Sequence, residues 1–146
     1  MIDLSDEWLC REIVQEAQDA IIFADREGII RLWNTGAAAI FGFTAQEAIG
    51  QTLDLIIPER LRKRHWEGYN EVMATGSTRY GQKLLAVPAI CKDGSTISIE
   101  FSIALLHSPA GQVIGSAAII REVTARWQQE KAVKKRLADC ESKVDH

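Results

Sequence analysis

The sequence predicts a two-layer α+β fold: a five-stranded antiparallel sheet with a helical cap on one face and a flanking helix at each end. Three observations carry this. Two short apolar runs flank a turn near the N-terminus, at residues 20–24 and 29–33. Three strand-like segments joined by turn signals fill residues 83–123. The stretch between them is punctuated by helix start and stop signals. Two strands plus three make one sheet, and the intervening helices must then cover one of its faces. A length of 146 residues suits one domain with a real core.

Each element has a local reason. Ser5 is placed to cap a first helix running to about Gln18, with Leu9, Ile13, Val14 and Ala17 on one face. Ala20 to Ala24 and Ile29 to Trp33 surround Asp25-Arg26-Glu27-Gly28 and read as a β-hairpin. Asn34 is placed to cap a short helix from Gly36 to Phe41, which Gly42 ends. Thr44 and Glu47 form a capping-box pattern, and Gly50 stops the helix that follows. Pro58 opens a longer helix from about Glu59 to Thr75, closed by Gly76. Its spacing puts Leu61, His65, Tyr69, Val72 and Met73 on one face. Arg60, Arg62, Lys63, Arg64, Glu67 and Glu71 fall on the other.

Lys83 to Cys91 predicts a strand in which Pro88 marks an edge or bulge, and Lys92-Asp93-Gly94 predicts the hairpin after it. Ile97, Ile99, Phe101, Ile103 and Leu105 alternate with smaller or polar residues, the pattern of a strand with one buried face. Pro109-Ala110-Gly111 turns the chain into a last strand from about Val113 to Val123. Beyond Thr124 there is neither Gly nor Pro. Val133, Leu137, Cys140 and Val144 recur at spacings of 4, 3 and 4, a short a/d seam suggestive of a coiled coil. The expected division is therefore 1–18 flanking helix, 19–124 central α+β domain, and 125–146 terminal, coiled-coil-like helix.

Composition narrows the function. A net charge of −3 argues against nucleic acid or an anionic membrane as partner. No apolar run is long enough to span a bilayer. Three widely spaced cysteines, Cys10, Cys91 and Cys140, make neither a C-x-x-C pair nor a zinc pattern, so a reducing, cytoplasmic home is expected. There is no nucleophile elbow, P-loop or H-E-x-x-H motif, and the expectation is a protein that is not an enzyme.

The ordered set of motifs resembles the PAS family of sensor domains. Ala20 to Asp25 with Gly28-Ile29-Ile30, Asn34 before the first cap helix, and Phe41-Gly42-Phe43-Thr44 with Glu47-Ala48-Ile49-Gly50 carry the resemblance. Lys92-Asp93-Gly94 and the closing Ile119-Ile120-Arg121-Glu122-Val123-Thr124 extend it, so that it covers residues 9 to 125. The resemblance implies a five-stranded sheet under a helical cap. It also implies a module that detects ligands, redox state or light, or that mediates dimerisation.

Pro58 to His65 further resembles the stretch carrying the proximal histidine in haem-binding members, the oxygen-sensing histidine kinases among them. This makes His65 the candidate metal ligand, beside Tyr69 on the same helix face. Arg79 is then the candidate partner of a haem propionate, and Tyr80, Leu85, Phe101 and Ile103 match positions lining the distal pocket. The sequence departs from the oxygen sensors at Glu71 and Leu85, where they carry arginines. It departs again near Lys83, where related sensors carry a methionine ligand. The flavin-binding motif of the light sensors is absent. The expectations are thus a ligand-sensing module that relays change through its flanking helices as a homodimer, with a possible signalling partner protein, and with haem as the leading ligand. The alternative is a cofactor-free dimerisation or interaction adaptor.

Overall fold

The computed structural model of the chain describes residues 2, 4–77 and 83–144. The elements in order are α1 (Asp6–Glu16), β1 (Ala20–Asp25), β2 (Ile30–Trp33), α2 (Thr35–Phe41), α3 (Ala45–Ala48), a 3-10 turn (Leu53–Ile56), α4 (Glu59–Thr75), β3 (Leu85–Ile90), β4 (Thr96–His107), β5 (Val113–Glu122) and α5 (Thr124–Val144). The five strands form one sheet in the order β2-β1-β5-β4-β3, with every neighbouring pair antiparallel. The first and last strands of the core thus lie side by side at its centre, and Pro88 sits on the edge strand β3, where its missing N–H costs no ladder bond.

The caps act as the sequence predicts. Ser5 Oγ accepts from Trp8 N, Asn34 Oδ1 from Ala37 N, and the Thr44–Glu47 box closes in both directions. Gly42 and Gly76 end α2 and α4 in the left-handed region, with φ of 85° and 73°. The boundaries move slightly: α1 stops at Glu16 and β3 begins at Leu85.

One sheet face packs under the cap. Ala20, Ile22 and Ala24 of β1 are buried there, opposite Ile120, Ala118 and Ser116 of β5. Ile30, Trp33, Phe41, Ile56, Ala89 and Ile99 complete the main core. Trp33 Nε1 donates to Phe43 O at 2.9 Å, so the buried indole leaves no orphan donor. A second, smaller cluster of Ala24, Tyr69, Met73 and Val113 seats α4, with Trp66, Val72, Leu53 and Leu105 at its margin. The predicted stripe of α1 is only half covered: Leu9, Val14 and Ala17 are partly buried, while Ile13 is 66% exposed. The outer sheet face leaves Leu32, Leu106 and Ile119 exposed.

Candidate functional site

The site is built where α4 crosses the inner sheet face. Tyr69 anchors the crossing. Its hydroxyl donates towards Asp25 O at 2.5 Å and lies 3.2 Å from Ala24 O, tying the middle of α4 to the end of β1. Burial pushes the phenol pKa up, Asp25 and Glu27 add to this, and Ser116 opposes it. One turn earlier, Trp66 Nε1 donates to Asp54 Oδ1 at 2.7 Å. The Trp66 ring lies on Gly28, where a Cβ would stand 2.2 Å from ring carbons and φ is +79°. Glycine is required there on both counts.

Asp25 organises the hairpin beneath. Its carboxylate accepts from Glu27 N, Ile29 N and Arg31 Nε. Burial alone would raise its pKa, but the bonds from Arg31, Ile29 and Glu27 outweigh that and hold it low.

His65 stands one turn before Tyr69 on the same face. Its ring meets the Trp66 ring edge-on at 4.7 Å and lies at 33° to Tyr69, with 5.7 Å between centroids. Its Nδ1 is buried and has no hydrogen-bond partner. Burial lowers the imidazole pKa, and Asp54 partly offsets this, so the ring is neutral near pH 7. A buried nitrogen without a partner is costly, which makes it the chemically unspent atom of the site.

Leu85, Phe101 and Ile103 share the inner face. Phe101 is paired across the ladder with Leu85 on one side and Ile120 on the other, and Ile103 pairs with Ala118. All three are half-buried, so they form an apolar wall that the cap does not close. Leu105, two residues beyond Ile103, belongs to the cluster that seats α4, so the wall and the His65 helix border one another. Arg79 and Tyr80 lie outside the described residues. Lys83 is exposed. Among the described residues no group of three His, Cys, Asp or Glu side chains is placed to hold a metal ion.

One predicted solvent-face residue behaves otherwise. Arg62 is half-buried: its Nε donates to Ile57 O at 3.0 Å and its Nη2 to Asp54 O at 3.3 Å, capping the carbonyls of the 3-10 turn. Cys91 is a half-buried thiol donating to Ile40 O at 3.4 Å, its pKa raised by burial, which suits a small filler.

Two further groups escape sequence reasoning. Asn34, 1% exposed, accepts from Ile21 N at 2.8 Å and from Ala37 N at 2.9 Å, and donates to Val14 O at 2.8 Å and Asp19 O at 3.1 Å. It joins the end of α1, the start of β1 and the cap in one side chain. At the other end of the chain, Val123 N donates to Ser98 O at 2.8 Å, Ser98 N donates to Thr124 Oγ1 at 3.0 Å, and Arg126 pairs with Glu100. The root of α5 is thereby fastened to β4. Arg121 and Asp19 pair at 3.3 Å, so the chain enters and leaves the sheet at one end. The sequence signal for Asn34 was its capping position; nothing in the sequence announced the other partners.

Three comparisons bear on this arrangement. The family description "PAS fold" matches residues 14–128. The chain is 30% identical over 136 residues to the sensor protein FixL of Bradyrhizobium diazoefficiens, covering 93% of this chain and 26% of FixL. It is 28% identical over 131 residues to the signal transduction histidine-protein kinase AtoS of Escherichia coli, covering 88% of this chain and 19% of AtoS. The chain therefore spans about a quarter or less of these curated relatives. Among solved structures, a PAS domain from Colwellia psychrerythraea superposes with a TM-score of 0.73 at 21% identity, covering 83% of this chain and 99% of that one.

Proposed function

This chain belongs to the PAS family, and from that premise we propose that it is a sensory and signalling module, not itself an enzyme, that takes a small ligand between α4 and the inner sheet face. Residues 19–124 act as the sensor and residues 1–18 and 125–146 as the flanking helices that pass the change on, within a homodimer in the cytoplasm. The observation that carries this reading is the fastening of α5 to β4 through Ser98, Thr124, Glu100 and Arg126. Phe101 and Ile103, which would meet a ligand, follow Ser98 and Glu100 on the same strand β4. A ligand that shifts β4 therefore shifts the helix root, a change of population between two arrangements.

Haem is the leading ligand. The fit rests on His65: burial keeps the imidazole neutral, the state that coordinates iron, and Nδ1 has no competing partner. Leu85, Phe101 and Ile103 would face the porphyrin as an apolar wall, with Tyr69 at its margin and Arg79 and Tyr80 as the remaining proposed contacts. Haem, when bound, supplies an iron that takes up a diatomic gas or changes oxidation state. This chain's own part is to hold the ring of His65 neutral and oriented between Trp66 and Tyr69. After reconstitution with haem, the wild type is expected to show a Soret band that His65→Ala loses or shifts. No band in the wild type, or the same band in the variant, sinks the haem reading.

A cofactor-free adaptor is the second reading, and two observations favour it. The Tyr69 hydroxyl is already spent on the backbone of β1, and the His65 ring already packs on two aromatic neighbours. Native mass spectrometry of the purified chain with no bound small molecule would support it.

A further inference from the structure

We infer that Asp54 is a positioning residue for the ligand site: by binding the indole of Trp66 it fixes the ring against which the imidazole of His65 is oriented. This rests on the reading of His65 as the residue that meets the ligand, and it names what aims that residue.

A histidine that ligates a metal ordinarily donates its other ring N–H to an acceptor, and that bond fixes the ring. Here Nδ1 of His65 is buried and has no partner. No hydrogen bond at that nitrogen sets the angle of the ring, so packing must set it. Two rings do so: Trp66 edge-on at 4.7 Å and Tyr69 at 5.7 Å, themselves 5.5 Å apart between centroids. Such a cluster aims a side chain only as well as its own members are held. Tyr69 is held by its hydroxyl on the backbone of Ala24 and Asp25. Trp66 is held by Asp54, whose Oδ1 accepts from Nε1 at 2.7 Å. A carboxylate acceptor makes this bond short and strong.

Asp54 is in turn well fixed. Its N–H donates to Thr52 Oγ1 at 3.3 Å, and its carbonyl accepts from Ile57 N at 3.2 Å and Arg62 Nη2 at 3.3 Å. Beside it, Leu53 N donates to Gly28 O at 3.1 Å, and Gly28 is the residue on which the Trp66 ring lies. The β1–β2 turn, the 3-10 turn and α4 thus close a triangle around one indole. Gly28 gives that ring a floor but no directional bond, and Asp54 supplies the direction. The same carboxylate reaches His65 by a second route, because its charge favours the imidazolium. The two routes part when the charge is removed and the acceptor is kept.

NMR of the ligand-free full chain separates them. At about pH 8 the imidazoles are neutral, and the ring protons of His65 are identified by their loss in His65→Gln. Asp54 is partly exposed, so its variants are expected to fold. Asp54→Ala should move the His65 signals towards those of the exposed His107 and speed exchange of the Trp66 Nε1–H with water. Asp54→Asn keeps an acceptor oxygen and should leave both near the wild type. In a Trp66→Phe background Asp54→Ala should cause no further movement, because the two residues act through one bond. His65 signals unmoved by Asp54→Ala, moved as far by Asp54→Asn, or moved equally in the Trp66→Phe background overturn the positioning role. In the haem titration Asp54→Ala should weaken binding about tenfold and Asp54→Asn should not. Equal affinity in all three proteins overturns the role as well. A wild type without a Soret band overturns the haem reading alone, and the imidazole signals still decide the role of Asp54.

Discussion

His65 is the residue on which the ligand question turns, and its environment makes a prediction independent of any ligand. Its folded pKa lies below the ordinary 6.5 because burial penalises the cation more than Asp54 favours it. Between the folded and unfolded values the unfolded chain binds more protons, so stability rises with pH through that window. The contribution is fully present above pH 6.5 and is lost as pH falls through the window towards the folded value. Denaturant unfolding at about pH 7.5 and about pH 5 should therefore show an acid loss that His65→Leu reduces. An equal loss in both proteins would mean that the imidazole is not responsible. The residue's place on the inward face of α4 was legible from helical spacing. Its orphaned Nδ1 was not, because that depends on what Asp54, Trp66 and Tyr69 do around it.

Asn34 shows how one side chain governs an element. As a cap it would be worth about 1 kcal/mol. Here it also satisfies Ile21 N and the carbonyls of Val14 and Asp19 in a site closed to water. Asn34→Ala leaves these groups without partners and should cost about 3 kcal/mol in urea unfolding. It should also raise amide exchange in α1 before the sheet is affected. Uniform exchange along the chain would show that α1 is held by its apolar contacts instead. The pattern of helix starts and stops was legible almost to the residue because caps, glycines and Pro58 act within a turn of where they stand. The half-covered state of α1 was not: amphipathic spacing says that a face is apolar, and the sheet decides how much of it is covered.

At the scale of the molecule, chain entry and exit meet at Asp19 and Arg121, and the flanking helices leave from one end of the sheet. The root of α5 is bonded to β4, and the entrance by α1 lies nearby. Removing residues 125–146 should weaken self-association in sedimentation while the circular dichroism of the sheet persists. An association constant unchanged by the truncation would assign the dimer contact to α1 or to the outer sheet face, where Leu32, Leu106 and Ile119 are exposed.

The α+β class, the five strands and the order of helices were determined by the sequence alone, since periodicity, capping and turn chemistry act between residues a few positions apart. The family likeness followed from that same ordered set. Only the tertiary structure decided that β1 and β5 lie together at the sheet centre, that Asn34 binds three elements, that Arg62 turns inward, and that β4 grips the start of α5. The partners in those contacts are separated in the chain by stretches that no local pattern spans. Their hydrogen bonds form because burial leaves each polar group no solvent to turn to.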